Sequence, residues 1–254
     1  MSEVVVVDHV SKHFVMQNAR TLKQRLVRAS RGEATNPKFL AIDDVSATIK
    51  EGEAIGLMGL NGSGKSTLLK LISGVLRPDG GKVLTRGRIA GLIEVTAGFH
   101  PQLTGRENIF LNAAILGMQE AEVRRKFDDI VDFADIARFL DTPVGRYSSG
   151  MFARLGFSVA MSADSDIFIS DEVLAVGDPP FKKKCMRRIK QVQAEGRTIV
   201  FVSHSTNQVK RLCDRALVLV DGRLAFDGPV PDAVSFLNYD ADDDDGDDTE
   251  GGEI

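Results

Sequence analysis

The sequence predicts an α/β fold built on a mainly parallel sheet, and three observations support this class. Short β-branched runs alternate with segments of helical periodicity along most of the 254 residues. Several of these runs are apolar throughout, which is typical of parallel strands that are covered on both faces. From about residue 104 to residue 163 the alternation stops, and helical patterns follow one another without a strand. We therefore expect a helical lobe inserted into an α/β core.

The expected elements follow a regular order along the chain. The strand-like runs are residues 4–7, 54–59, 167–170, 198–203 and 216–220. The helix candidates outside the lobe are residues 66–73, 181–194 and 205–212. Within the lobe the last helix is expected to begin near Ser149. Residues 221–230 are expected to form a strand and a turn.

The composition excludes several classes of protein. Hydrophobic residues make up 43% and charged residues 27% of the chain, which is ordinary for a soluble fold. Cys185 and Cys213 lie far apart, and this argues against a zinc module and a disulfide scaffold. No apolar run approaches ~18 residues and the N-terminus has no signal-peptide pattern. We therefore expect no transmembrane helix.

Charge is distributed unevenly along the chain. Residues 240–254 hold nine acidic and no basic residues, so the remaining 36 − 9 = 27 acidic residues face 32 basic ones. The body thus carries about +5, although the formal net charge of the chain is −4. The acidic segment lacks apolar periodicity and is expected to be a disordered, solubilising tail. Residues 1–239 are then expected to form the folded domain.

The strongest chemical signal is GLNGSGKST at residues 59–67, which fits the pattern G-x-x-x-x-G-K-[ST] between a strand and a helix. Glycines let the backbone turn tightly, so that successive N–H groups and the helix N-terminus can hold phosphate oxygens. Lys65 is expected to bind the β- and γ-phosphates of a nucleotide, and the Ser66 hydroxyl to bind Mg²⁺. The residues of the loop that we expect to contact the nucleotide are Gly59, Asn61, Gly62, Ser63, Gly64, Lys65, Ser66 and Thr67.

Two adjacent carboxylates end a second apolar strand, in SDIFISDE. A carboxylate at this strand tip lies beside the phosphate-binding loop in folds of this kind. Asp171 is expected to hold Mg²⁺, directly or through water, and Glu172 to polarise the attacking water. Phosphate loop and carboxylates together predict hydrolysis of a nucleotide.

A third motif, YSSGM at residues 147–151, resembles the signature loop of ABC-type ATPases, usually written LSGGQ. Three single residues add to this resemblance. Phe14 matches the aromatic residue that stacks on adenine, Asp178 the D-loop aspartate and His204 the switch histidine. The resemblance covers nearly all of the chain except the tail. It implies a P-loop NTPase core with an antiparallel β subdomain and a helical subdomain at about residues 100–163.

The departures from the family pattern point to one group within it. Ser149 and Met151 replace a glycine and a glutamine of the signature loop, and Glu94 takes the place of the Q-loop glutamine. Together with the segments around them, these residues resemble the ATPase subunits that export lipid-linked polysaccharides such as O-antigen and teichoic acid. The resemblance does not say how the departures affect turnover.

The resemblance also implies a mechanism and partners. Two copies meet head to tail, and Ser148, Ser149 and Gly150 of one copy contact ATP bound by the other. Glu172, assisted by His204 and Lys65, hydrolyses the ATP, with Mg²⁺ at Ser66 and Asp171. Glu94 and Asp178 line the site. A separate multi-spanning membrane permease, a lipid-linked glycan as cargo and a place at the cytoplasmic face of the membrane complete the expectation.

Other functions stay open on the residues alone. A soluble, non-transport ABC ATPase is the main alternative, and a kinase or GTPase is disfavoured by YSSGM and by the absence of N-K-x-D. Nucleic-acid binding fits poorly, because no aromatic residues interleave with the basic clusters. Residues 12–38 hold seven basic residues and one acidic residue, and a helix there is expected to lie near the membrane or to be merely solvated. The cluster FKKKCMRRIK is expected to be a solvated helix face.

Overall fold

The computed structural model describes residues 2–15, 38–92, 98–171, 178–203 and 205–237. Two sheets and seven α-helices lie within these ranges. The strands are β1 (Glu3–Val15), β2 (Lys38–Lys50), β3 (Ala54–Met58), β4 (Gly80–Thr85), β5 (Ile89–Leu92), β6 (Ile167–Asp171), β7 (Thr198–Val202), β8 (Arg215–Val220) and β9 (Arg223–Pro229). The helices are α1 (Lys65–Ile72), α2 (Gly105–Ile115), α3 (Glu120–Ala134), α4 (Ser149–Ser162), α5 (Pro179–Ala194), α6 (Thr206–Leu212) and α7 (Val230–Leu237). Two short 3₁₀ turns, Ala137–Phe139 and Val144–Arg146, join α3 to α4.

The larger sheet has the strand order β5-β6-β7-β3-β8-β9. The first five strands run parallel to their neighbours, and only β9 pairs antiparallel, with β8. Every residue of β3 and β7 is buried, as the unbroken apolar runs in the sequence predict. These two strands form the centre of the molecule.

The smaller sheet is antiparallel, with the order β2-β1-β4. Its two long strands are 13 residues each, and their pairing is interrupted by register shifts. His9 and Asp44 have positive φ at these irregularities, and the His9 Nδ1 atom lies 2.8 Å from an Asp44 carboxylate oxygen. β1 is thus much longer than the predicted run 4–7, because bulges let one strand continue through an interrupted alternation.

The helical lobe comprises α2, α3 and α4, which follow β5 and precede β6. Its own core is lined by Ile109, Ile130, Leu155 and Val159, all fully buried. A capping box begins α2, since the Thr104 side chain accepts from the Glu107 amide while the Glu107 carboxylate accepts from the Thr104 amide. The lobe therefore has both a core and a defined start.

The two faces of the larger sheet carry different layers. Alternate residues of the central strands pack on one side against α1 and the antiparallel sheet. The other residues pack against α5, α6 and α7, and part of α4 joins the same cluster. The predicted fold class, an ABC-type α/β core with an antiparallel sheet and inserted helices, agrees with this architecture. Among the described residues, no helix combines the length and apolar character needed to cross a membrane.

Candidate functional site

The phosphate-binding loop lies at the carboxyl edge of the parallel strands. It follows β3, whose neighbours are β7 and β8. Asp171 is the last residue of β6 and pairs with Val202 near the end of β7. Carboxyl ends of adjacent parallel strands meet at one edge of a sheet, and ligands bind there in open α/β folds. The backbone therefore brings the loop and the residue position of the predicted metal ligand to the same edge.

Three predicted site residues, Glu94, Glu172 and His204, lie outside the described residues. The side chain of Asp171 lies outside them as well, although its backbone belongs to β6. The roles that the sequence suggests for these four residues stay predictions.

The glycines of the loop serve two different purposes. Gly59 and Gly64 have φ angles of 138° and 107°, and a Cβ at either position would collide with backbone, the carbonyl oxygen of Leu219 or of Ala41. Gly62 has a φ of 83°, yet a Cβ there would meet nothing within 4 Å. The outer glycines let the loop pack onto β8 and β2, while Gly62 leaves a face of the loop open.

The start of α1 suits an anion. Its N-cap is Gly64, so no side chain caps the helix, and its first turn holds no acidic residue. The first intrahelical bond is donated by the Leu68 amide to the Gly64 carbonyl oxygen at 2.9 Å. The positive end of the helix dipole therefore faces the loop. No carboxylate in the first turn of α1 neutralises it.

Lys65 lies inside the loop and is only 7% exposed. Its ammonium donates to the carbonyl oxygens of Gly59 at 2.7 Å and Leu60 at 2.9 Å. The hydroxyl of Ser63 is buried and has no hydrogen-bond partner within the described part of the chain. A cation, an unsatisfied hydroxyl and a helix N-terminus converge, and this donor set fits the oxygens of a nucleotide phosphate.

The remaining loop residues lie at its surface. Asn61, Gly62 and Ser66 are exposed, and Thr67 is half-buried. Ser66 follows the buried lysine in the first turn of α1, so its hydroxyl is open to a metal ion bound with the phosphates. The exposure of Ser66 is compatible with its predicted role as an Mg²⁺ ligand, which stays a prediction.

Phe14 lies near the end of β1, opposite Phe39 of β2, and both rings are partly exposed. The Lys12 ammonium lies 5.9 Å from the centre of the Phe14 ring. Ala41 lies two residues beyond Phe39 in β2, and a Cβ added at Gly64 would be 2.7 Å from the Ala41 carbonyl oxygen. A strand rises about 3.3 Å per residue, so an exposed aromatic face lies within a few residues of the phosphate loop.

The signature-like loop ends at the start of α4. Ser148 is the N-cap of this helix, and its hydroxyl oxygen accepts from the Met151 amide at 3.2 Å. Tyr147 donates from its hydroxyl to the Phe139 carbonyl oxygen at 2.8 Å, which fixes the loop to the helical lobe. Ser148 and Ser149 are exposed and Gly150 is half-buried. Ser148 and Ser149 are therefore accessible to a second molecule.

Asp178 is the N-cap of α5, since one carboxylate oxygen accepts from the Phe181 amide at 3.2 Å. Its other oxygen accepts from Arg154 of α4 at 2.7 Å. The guanidinium of Arg154 also lies 5.3 Å from the Phe181 ring centre. Asp178 therefore joins the helix that follows the signature-like loop to the helix that follows the Asp-Glu strand.

Comparison with known proteins identifies the architecture. The ABC transporter family model matches residues 42–175. The chain belongs to the ABC transporter family. A Klebsiella pneumoniae protein named O-antigen export system ATP-binding protein RfbB is 50% identical over 187 residues, which cover 74% of this chain and 76% of that relative. An ABC transporter protein AbcA from Aeromonas salmonicida is 48% identical over 92% of this chain and 75% of its own length.

Other members of the ABC transporter family extend the comparison. The teichoic acids export ATP-binding protein TagH of Bacillus anthracis is 40% identical over 94% of this chain, which covers 43% of that protein. A solved structure of an ABC transporter ATP-binding subunit aligns with a TM-score of 0.72 at 24% identity, over 94% of this chain and 95% of that one. A dimeric ATP-binding cassette bound to ADP and phosphate aligns with a TM-score of 0.71 at 23% identity, over 89% of this chain and 98% of that one. These comparisons confirm the predicted family and fold, and they make this chain an ABC-type ATP-binding domain with ATPase chemistry.

Sequence reasoning missed one residue of this ABC transporter domain. Arg154 binds the predicted D-loop aspartate, but the sequence analysis gave it no role. One feature of the sequence could have indicated its role. Arg154 is the single arginine of α4, and the other residues from 153 to 161 are all buried. A cation on such a face needs a partner. Asp178 is the nearer of its two carboxylate partners at 2.7 Å, and Asp135 lies at 3.5 Å.

Proposed function

We propose that this chain is the ATP-hydrolysing subunit of an ABC exporter that moves a lipid-linked polysaccharide across the cytoplasmic membrane. The observation that carries the proposal is the 50% identity to a protein named for O-antigen export. The similarity to a protein named for teichoic acid export supports the same class of cargo. The soluble non-transport ABC ATPase, the main alternative, receives no comparable support.

The phosphate-binding loop would hold the nucleotide through its backbone and Lys65. The N–H groups around Gly62 would donate to phosphate oxygens, because no side chain blocks that face. Lys65 would then exchange its loop carbonyl partners for the β- and γ-phosphates. Phe14, exposed near β2, would stack on the adenine ring.

Hydrolysis would depend on groups at the same edge of the sheet. Ser66 and Asp171 would hold Mg²⁺, which supplies positive charge to the phosphate oxygens when it is bound. Glu172, next to the end of β6, would accept a proton from the attacking water. His204, which follows β7, would orient that water and the terminal phosphate.

A complete site would need two copies of the chain. Ser148, Ser149 and Gly150 lie at the exposed N-terminus of α4, where a hydroxyl and helix amides can contact a phosphate held by a second copy. Asp178 would lie beside this shared nucleotide, positioned by Arg154. ATP would hold the two copies together, and its hydrolysis would release them.

The proposed transport function requires partners. A separate permease would span the membrane, the lipid-linked glycan would be its cargo, and the ATPase would bind at the cytoplasmic face. Glu94 would lie at the nucleotide site or at the permease interface. The basic segment 12–38 would contact the permease or anionic headgroups. Residues 1–239 would form this ATPase unit and residues 240–254 an appended acidic tail. Nucleic acid would not be among the partners.

The shared-site mechanism can be tested with Glu172→Gln. This variant should bind ATP, hydrolyse it at least a hundredfold more slowly and accumulate as a dimer in size-exclusion chromatography with light scattering. Lys65→Ala is the matched control, since it should lose phosphate binding and stay monomeric at the same ATP concentration. A monomeric Glu172→Gln variant with wild-type turnover would refute the mechanism.

The transport proposal needs a separate test. An affinity pull-down from detergent-solubilised native membranes, analysed by mass spectrometry, should recover a multi-spanning membrane protein in equal amount. Depletion of the chain should then leave the surface glycan inside the cell. Recovery only of ribosomes or soluble proteins would keep the ATPase chemistry and overturn the export function.

A further inference from the structure

Helix α5 has an exposed face that carries only positive charge. Between Pro179 and Ala194 it holds six cations and no acidic residue. Its buried side is Phe181, Cys185, Ile189 and Val192. On the opposite side Lys183, Arg187 and Lys190 are all exposed. Their spacing of four and three residues places them in one row, which we call the α5 cationic stripe.

Two other cations of α5, Lys184 and Arg188, have partners within the molecule, whereas the stripe has none among the described residues. Lys184 donates to the carbonyl oxygens of Asp132 and Phe133 at the end of α3. Arg188 lies 3.5 Å from a Glu195 carboxylate oxygen. No ion pair or hydrogen bond within the described ranges involves the side chains of the stripe. These cations are therefore available to an anion outside the described residues.

Repulsion among the cations of the stripe lowers the stability of the folded chain. Like charges spaced three or four residues apart on a helix repel one another by a few tenths of a kcal/mol per pair. Lys183 also lies in the first turns of α5, where the helix dipole favours acidic residues. An unfavourable arrangement of this kind indicates a surface shaped for binding rather than for stability.

The described chain ends on the same side of the sheet as α5. Helix α7 contributes Val230, Ala233 and Val234 to the hydrophobic cluster that contains the buried side of α5, and Leu237 packs against it. Residues 238–254 follow directly. Seventeen residues can span up to about 55 Å, whereas the sixteen-residue α5 is about 24 Å long. The contour length of residues 238–254 is thus more than twice the length of the helix that carries the stripe.

We propose that the acidic tail, residues 240–254, docks on the α5 cationic stripe. The tail offers nine carboxylates and no cation, and the stripe offers cations without acidic neighbours on its helix. Docking neutralises the repulsion within the stripe and covers a basic surface that would otherwise attract other polyanions. The contact is electrostatic and lies at the surface, so it weakens as the salt concentration rises. This inference does not depend on the proposed transport function.

The test measures how fast lysine amines of the purified full chain react with an acetylating reagent, residue by residue, by mass spectrometry. Three proteins are compared at about 20 mM salt. They are the full chain, a chain without residues 240–254, and a chain of full length with the nine acidic tail residues changed to Asn or Gln. We expect Lys183 and Lys190 to react at least threefold faster in both altered chains. Lys50, exposed on the antiparallel sheet, serves as the internal control and should not change.

Further variants separate this contact from alternatives. Arg187→Gln should reduce the protection of Lys183 and Lys190 in the full chain, whereas Arg125→Gln, an exposed change on α3, should not. The difference between full and altered chains should vanish at high salt. Equal rates in all three proteins, protection that survives neutralisation of the tail, or equal protection of Lys50 would each overturn the proposal. Protection that appears only with phosphatidylglycerol vesicles would also overturn it and assign the stripe to a lipid surface.

Discussion

Gly62 and Gly64 lie two residues apart in the phosphate loop, yet a side chain at each would meet different surroundings. At Gly64 a Cβ would lie 2.7 Å from the Ala41 carbonyl oxygen, at a φ of 107°. At Gly62 the backbone is also in the left-handed region, but the space is open. Packing and ligand binding therefore place separate demands on the two residues.

Gly64→Ala should lower the free energy of unfolding by more than Gly62→Ala. Both variants incur about 1–2 kcal/mol from the left-handed backbone, and only Gly64→Ala adds a collision with backbone of β2. Gly62→Ala should keep most of the stability and bind ATP more weakly, because its methyl group occupies the open face. Urea unfolding and titration with a fluorescent ATP analogue measure the two effects. Equal stability losses would contradict this division.

Asp178 combines a helix cap with an ion pair, and two substitutions separate them. Asp178→Asn keeps a side-chain oxygen for the Phe181 amide but loses the charge that binds Arg154. Asp178→Ala loses both and should cost about 1 kcal/mol more, which is the usual value of an N-cap. Thermal and urea unfolding of the two variants provide the comparison. If Asp178→Asn proves as unstable as Asp178→Ala, the cap has no measurable role.

At the scale of elements, Glu122 ties α3 to the parallel sheet. Its side chain is 10% exposed and lies 3.4 Å from Arg88, just before β5, and 3.4 Å from Lys126. The Asp164 amide donates to it at 3.2 Å. Burial alone would raise the pKa of Glu122, but this amide and the two cations outweigh it, so that the pKa lies below its usual value. The helical lobe is thus attached through a carboxylate that must stay ionised.

The stability of the chain should therefore fall as the pH drops through the lowered pKa of Glu122. A group with a lowered folded pKa stabilises the fold above its unfolded pKa and loses that contribution in acid. Glu122→Gln should lose about 1–3 kcal/mol near pH 7, and its difference from the wild type should shrink below about pH 4.5. Urea unfolding at a series of pH values measures both. Glu120→Gln, an exposed pair with Arg124 on the same helix, is the control and should change stability by under ~1 kcal/mol.

The elements show what could be foreseen from the sequence. β3 and β7 are apolar throughout, so their type and burial were predictable. The strand β5 could not be predicted, because Ala90 and Gly91 at its centre have low strand propensity. It is a strand because it pairs with β6. Helix α5 begins at Pro179 rather than at 181, since Asp178 caps it and proline suits the first helical position.

The candidate site was predictable to a similar degree. The G-x-x-x-x-G-K-[ST] pattern fixes a local conformation, so the loop and its helix follow from the sequence. The pairing of Arg154 with Asp178 joins residues 24 positions apart and depends on how α4 packs against α5. No local pattern contains that information. The roles of Glu94, Glu172 and His204 stay predictions.

At the scale of the whole molecule, the nucleotide loop contacts both sheets. A ligand that binds the native state alone stabilises it by about 2.7 kcal/mol at a hundred times its Kd. Saturating ATP with Mg²⁺ should therefore raise the Tm of the wild type by several degrees in a single transition. Lys65→Ala should show no such shift. Two transitions, with only one of them shifted by ATP, would mean that the sheets do not unfold together.

The packing of the loop glycines has an evolutionary consequence. A duplicated copy of this gene that stopped using ATP would still need glycine at 59 and 64, because the folded chain itself excludes larger residues there. Gly62 and Ser66 face open space and solvent, and selection for folding alone would leave them less constrained. After nucleotide binding was lost, substitutions would thus accumulate first at Gly62 and Ser66. Gly59 and Gly64 would be retained, because the fold requires them.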